Sequence, residues 1–210
     1  MKNIGSMVKL GLVLAVFATA ACVMLAFVYT GTKPIIDIQE EANLQKALKD
    51  IFPDADSFEL ATGIVSPDAS VTVHSAFKAI RGGRPVGVAL RLSKDGYSGP
   101  IVMMVGVSAE RTITGVKILA QTETPGLGAN AVKSSYFVDR AGGLTFPGQF
   151  AGKNTSDPFV VKNDIVAITA STITSRAVAS SVKAAGIAVT AWFAGDEVDA
   201  VSSATEGGAE

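Results

Sequence analysis

The stretch Leu10–Tyr29, LGLVLAVFATAACVMLAFVY, decides the architecture: twenty residues without a charge, the length that crosses a hydrocarbon core as a helix. Lys2 and Lys9 precede it, and Asp37, Glu40 and Glu41 follow soon after Lys33-Pro34. That charge bias favours an N-terminus inside the cell and the rest of the chain outside. Ala18-Thr19-Ala20 has the form of a signal-peptidase site, and Thr19-Ala20-Ala21-Cys22 that of a lipoprotein site. Hydrophobicity should fade at either site, yet Val23–Tyr29 continues it for two more turns. The stretch therefore reads as an uncleaved anchor, with Cys22 a small apolar residue inside the membrane.

The whole chain has 210 residues, 48% hydrophobic and only 18% charged, so one domain of ordinary size remains beyond the anchor. Eighteen basic and nineteen acidic residues leave a net charge of −1, and no basic excess meets a phosphate backbone. Nucleic acid is excluded as the main partner. One cysteine and one histidine exclude an internal disulfide framework and any Cys/His cluster for zinc, haem or iron–sulfur, so no metal site is expected. Redox work would need a cofactor held by other residues.

Outward from the anchor, Ile35–Phe52 carries a helical stripe of Ile38, Ala42, Leu44, Leu48, Ile51 and Phe52, stopped by Pro53. Five β-like runs follow: Phe58–Val65, Val71–Ile80, Pro85–Leu92, Ile101–Val107 and Thr112–Leu119. Turn pairs such as Gly82-Gly83 and Asp95-Gly96 separate them, and their even spacing predicts an antiparallel meander. Glu123–Phe150 is loop-rich, and Phe159–Thr169 is a last apolar run, read as a strand. Val178, Val182, Ala185, Val189 and Trp192 mark a strong helix over Ser175–Phe193. The predicted fold is α+β: a cytoplasmic N-terminus (1–9), one transmembrane helix (10–30), one extracytoplasmic domain (31–194) with an antiparallel-rich sheet and packed helices, and a disordered acidic tail (195–210).

Two segments carry the chemistry. Glu123-Thr124-Pro125-Gly126-Leu127-Gly128 is a turn whose two glycines let backbone approach a flat or charged ligand, although a purely structural turn has the same form. Thr169–Ser175 places five hydroxyls in seven residues where a helix begins. A helix N-terminus offers free N–H groups and a positive dipole end, so a phosphate can sit there; an ordinary cap by Thr172 or Thr174 would look alike. His74, on an alternating strand, and Trp192, on the helix core side, read as structural.

Taken together, these pieces resemble the G subunit of the Rnf electron-transport complex, in the covalent-FMN superfamily shared with the C subunit of the sodium-pumping NADH:quinone reductase. The likeness runs from Thr32-Lys33-Pro34 through Gly96-Tyr97-Ser98-Gly99-Pro100-Ile101 and Thr114–Leu119. It continues through Glu123–Gly128 and Gly148–Lys153 to Thr169–Val178. Within that family the hydroxyl segment has the form D-x-x-(S/T)-G-A-T, and its final Thr holds the FMN phosphate as an ester made from FAD by a flavin transferase. The resemblance implies Thr172 as the attachment site, with Thr174 as fallback and Thr169 as the first hydroxyl of the motif. It implies Thr174 and Ser175 as phosphate partners, and Glu123, Thr124, Gly126, Leu127 and Gly128 along the flavin ring. Lys153 would offset negative charge. This chain departs from the motif at Val166 for the acid, Ala170 for the Gly and Ser171 for the Ala; an Ala at a φ > 0 position would cost about 1 kcal/mol.

The implied function is an FMN-carrying electron-transfer member of a ferredoxin:NAD oxidoreductase coupled to sodium or proton translocation. The chain would have no complete active site and no catalytic residue of its own. It would sit in the bacterial inner membrane among the other members of the Rnf complex. The alternatives are the corresponding C-type component of a sodium-pumping quinone reductase and a non-flavinylated structural member of such a complex.

Overall fold

A computed structural model describes the backbone of residues 4–206 and the side chains of 5–195. The chain divides into two compact units, residues 1–45 and 46–210. The first unit is most of helix α1 (Ile4–Ile51). A window of α1 has mean hydropathy 2.6 and none of it is buried, so the helix is long and apolar enough to cross a membrane. The helix runs unbroken through Pro34, beyond residue 30, where the sequence places the end of the span. A proline inside a helix removes one backbone hydrogen bond and can be absorbed by a kink, so it need not end the helix.

The second unit is built on a five-stranded antiparallel meander in the order β1-β2-β3-β4-β5. The strands are β1 (Ser57–Ala61), β2 (Thr72–Arg81), β3 (Arg84–Asp95), β4 (Pro100–Ser108) and β5 (Ile113–Ala120). Their alternation sorts two faces. Val88, Leu90 and Leu92 of β3 and Met103, Val105 and Val107 of β4 are fully buried in the main core. Helix α2 (Thr172–Glu206) supplies the other half of that core through Val178, Val182, Ala185 and Val189.

The opposite face carries glycines where the last turn of α1 lies against the sheet. A Cβ on Gly87 would sit 2.6 Å from the Phe52 ring, and one on Gly106 would collide with Ile51. Only a residue without a side chain fits at those two points. Ala47, Leu48, Ile51 and Phe52 are buried there, whereas Ile38 and Ala42 of the same predicted stripe are exposed. Lys117 of β5 pairs with Asp50 and holds that turn in place.

Two sequence expectations change. Phe159–Thr169 is a looped segment rather than a strand: Phe159, Val161, Ile165 and Ile168 are buried one by one from a chain that turns repeatedly. Helix α2 starts at Thr172, three residues before the predicted start, and continues to Glu206 through part of the segment read as a disordered tail. Residues 207–210 of that tail lie outside the described residues.

A short hairpin of β6 (Phe137–Asp139) and β7 (Leu144–Thr145) completes the unit. Phe146 and Phe150 follow it into the core, edge to face at 5.7 Å.

Candidate functional site

The two chemistry-bearing segments meet. The turn after β5 and the start of α2 form opposite walls of one cavity of about 440 Å³, a size that suits a small organic ligand. Glu123, Thr124, Leu127 and Gly128 line one wall, and Ala170, Ser171, Thr172, Ile173 and Thr174 the other. Tyr97, from the turn between β3 and β4, closes a third side. Among the described residues, no cationic side chain lines the cavity.

Glu123 ties the three pieces together. The residue is 5% exposed, and its Oε1 accepts the N–H groups of Tyr97 (2.8 Å) and Ser98 (3.0 Å). Its Oε2 accepts the Thr174 hydroxyl at 2.6 Å. The glycines are placed for this carboxylate. A Cβ on Gly128 would strike Glu123 Oε2 and lie 2.6 Å from Thr174 Oγ1, and one on Gly96 would strike Glu123 Oε1.

The start of α2 is open. Ser171 is the N-cap: its carbonyl accepts the first helical bond, from the Ser175 N–H, at 3.0 Å. A serine there normally turns its side chain back to accept an N–H of the first turn. Here Ser171 Oγ is buried without a hydrogen-bond partner. The N–H groups of Thr172, Ile173 and Thr174 are the orphan donors of a helix start, and they bond no described residue. Thr172 is half-exposed at the cavity wall. Ala170 just before has φ 58°, the left-handed conformation that the motif's glycine would take without cost.

Four of the predicted residues lie elsewhere. Ser175 is fully buried; its hydroxyl donates to the Ser171 carbonyl (2.8 Å) and accepts the Ile168 N–H (3.0 Å), so it braces the cap from behind. Thr169 is exposed, with its N–H donated to the Tyr136 hydroxyl at 3.2 Å. Gly126 forms the turn at φ 80°, and its carbonyl accepts the Asn130 side chain at 2.7 Å. Lys153 pairs with Asp164 at 3.4 Å. Burial alone would push the Asp164 carboxyl up. The Val160 N–H, the Lys153 ammonium and the Phe159 N–H more than offset that and hold it below its usual 3.8. Asp164 therefore closes its own loop and does not take the place of the acid missing at Val166, which is half exposed to solvent.

Of the lining residues the sequence reading passed over, Tyr97 had a signal: an aromatic between Gly96 and Gly99, too exposed in any tight turn to be core. Ser171 had one as well, a hydroxyl at the motif position occupied by alanine. Among the described residues no group of three or more His, Cys, Asp or Glu side chains could hold a metal ion.

An anion-ready helix start thus faces a glycine-lined, carboxylate-braced turn, on a domain that follows a helix long and apolar enough to cross a membrane. Residues 96–186 match the FMN-binding domain model, and residues 1–51 match the RnfG N-terminal region. The chain is 35% identical over 188 residues to the G subunit of the ion-translocating oxidoreductase complex of Vibrio cholerae serotype O1 (strain M66-2), covering 84% of this chain and 87% of that one. It is 30% identical to the G subunit of the same complex in Methanosarcina acetivorans, covering 84% and 91%. It also aligns with the crystal structure of Shewanella oneidensis NqrC, at 19% identity and a TM-score of 0.39 over 69% of this chain and 68% of that one. The chain belongs to the RnfG family, the G subunits of ion-translocating oxidoreductase complexes, as an FMN-binding electron-transport member with a transmembrane helix.

The residues present fit that cofactor. Free N–H groups and a buried orphan hydroxyl suit a phosphate, and the glycine-narrowed wall with Leu127 and Tyr97 suits a flat ring.

Proposed function

We propose that the chain carries FMN joined through its phosphate to Thr172, and that it moves electrons inside a membrane ferredoxin:NAD oxidoreductase coupled to sodium or proton translocation. The observation that carries the reading is the uncapped start of α2, where three N–H groups stand open beside the one half-exposed hydroxyl of the helix start. The Thr174 hydroxyl donates a hydrogen bond to Glu123, and the Ser175 hydroxyl donates one to the Ser171 carbonyl. Both are buried, so Thr172 is left as the hydroxyl to be esterified.

In the attachment step Thr172 Oγ loses its proton and forms a bond to the phosphorus of the FMN half of FAD. The pyrophosphate linkage breaks and AMP leaves, on a separate flavin transferase. Bound FMN takes electrons in pairs or singly, so it can link a two-electron donor to one-electron carriers. The chain's part is positional. The helix start holds the phosphate by its N–H groups and dipole. Leu127, Tyr97 and Ile173 offer apolar surface to the ring, and Glu123 fixes the distance between the walls. The tether keeps the cofactor on a domain that faces outside, with the N-terminus on the cytoplasmic side of the inner membrane. The other members of the complex surround it and provide the ion path, since Leu10–Tyr29 has no carboxylate to offer one.

The test is in-gel fluorescence of the full-length chain made together with a flavin transferase, followed by peptide mass spectrometry across Asp164–Arg176. A fluorescent band and an FMN ester on Thr172 are expected, and Thr172→Val should be dark with its fold intact. Flavin retained by that variant moves the site to Thr174 or elsewhere, which the peptide masses decide. A dark wild-type band leaves a purely structural role in the complex.

A further inference from the structure

We propose that Ser171 Oγ is a ligand of the flavin phosphate, donated from a position where the resembled motif has an alanine. The inference rests on the FMN reading above and concerns this chain's own departure from the motif.

Ser171 is 7% exposed and lines the cavity, yet its hydroxyl has no partner. A buried hydroxyl left unpaired is costly, and buried polar groups are nearly always satisfied. Its usual bond is not made in this conformation. As N-cap it should accept an N–H of the first turn, but those N–H groups remain open. The neighbouring hydroxyls are already engaged: Ser175 with the Ser171 carbonyl, and Thr174 with Glu123. Ser171 is thus the one buried polar side chain of the cavity wall still holding a proton to give. A rotation about its single χ1 between staggered wells redirects that proton without moving the backbone.

The cavity also needs such a donor. Glu123 places a carboxylate in the wall, and the candidate cation Lys153 is paired with Asp164 instead. With no cation among the lining residues to balance a phosphate, each further donor at the helix start counts for more, because hydrogen bonds to charged groups are the stronger kind.

Wild-type and Ser171→Ala full-length chains, purified in detergent from cells without a flavin transferase, are titrated with FMN and with riboflavin, which lacks the phosphate. The substitution should weaken FMN about tenfold and leave riboflavin within about twofold. The unloaded variant should melt no lower than wild type, because it loses an unpaired group. Equal effects on FMN and riboflavin overturn the proposal, as does an unchanged FMN affinity. A lower melting point of the unloaded variant also overturns it, since the hydroxyl would then have a partner within the protein. If free FMN binds too weakly to titrate, the chains loaded by the transferase decide: Ser171→Ala should lower their melting point, and an equal shift in loaded and unloaded chains is refutation. A wild-type chain that binds neither flavin and gives a dark gel band removes the FMN reading itself, and this inference with it.

Discussion

Two neighbouring segments put non-glycine residues in the left-handed region and use them differently. In the loop before α2, Phe159 has φ 50° and Lys162 φ 73°; at the helix start, Ala170 has φ 58°. Around the first pair the polar groups are spent. Asp164 accepts the N–H groups of Phe159 (3.1 Å) and Val160 (2.6 Å) and pairs with Lys153, while the Lys162 N–H reaches the Ile165 carbonyl at 2.9 Å. Around Ala170 they are not: the Ser171 hydroxyl and the first-turn N–H groups of α2 are unused. Backbone strain costs about 1–3 kcal/mol wherever it occurs. A strained segment that satisfies itself is a structural device. A strained segment with donors left over can take a ligand.

The contrast can be broken most forcefully at Glu123, which joins the open segment to the opposite wall. Glu123→Ala leaves the Tyr97 and Ser98 N–H groups and the Thr174 hydroxyl without their acceptor. It should cost about 3 kcal/mol of stability and prevent the proposed flavin attachment, read by denaturant unfolding and gel fluorescence. A variant with wild-type stability and full fluorescence would remove Glu123 from the argument. Asp164→Ala should cost about 2 kcal/mol by the same measurement, with flavin attachment unchanged. Loss of flavin there, at preserved stability, would mean that the closed loop is part of the site.

A smaller effect separates strain from function. Ala170→Gly and Lys162→Gly should each gain about 0.5–1 kcal/mol, the relief of positive φ less glycine's extra freedom in the unfolded chain, measured as a rise in Tm. Unequal responses would show that the two strained sites differ in more than their hydrogen bonds. Smallest at neutral pH is the acid dependence. Because the folded Asp164 carboxyl lies below its ordinary 3.8, its stabilisation is complete above that value and is lost as pH falls through the lowered one. Asp164→Asn should flatten that part of the stability–pH curve, and an unchanged acid limb would assign it to other carboxylates.

The sheet was legible because its turns are written in glycine: Gly82-Gly83 and Asp95-Gly96 fall where β2 meets β3 and where β3 ends. The cavity was legible in its parts, since Glu123–Gly128 and the hydroxyl segment each have a local signature. What could not be read were pairings made across the chain. Lys153 reads as a free cation until Asp164 is seen beside it, and Ser175 as a phosphate donor until Ser171 and Ile168 take up its hydroxyl. Phe159–Thr169 misled for a related reason. Apolar residues that plug a core singly have the same composition as a strand, and only the bonds to Asp164 tell them apart.

The seating of Ile51 and Phe52 on the glycines of β3 and β4 sets where this protein can be cut. A soluble fragment prepared for crystallisation or titration has to begin upstream of Ala47. One begun at Pro53 would discard Ala47, Leu48, Ile51 and Phe52, uncover the glycines they pack on, and be prone to clump there.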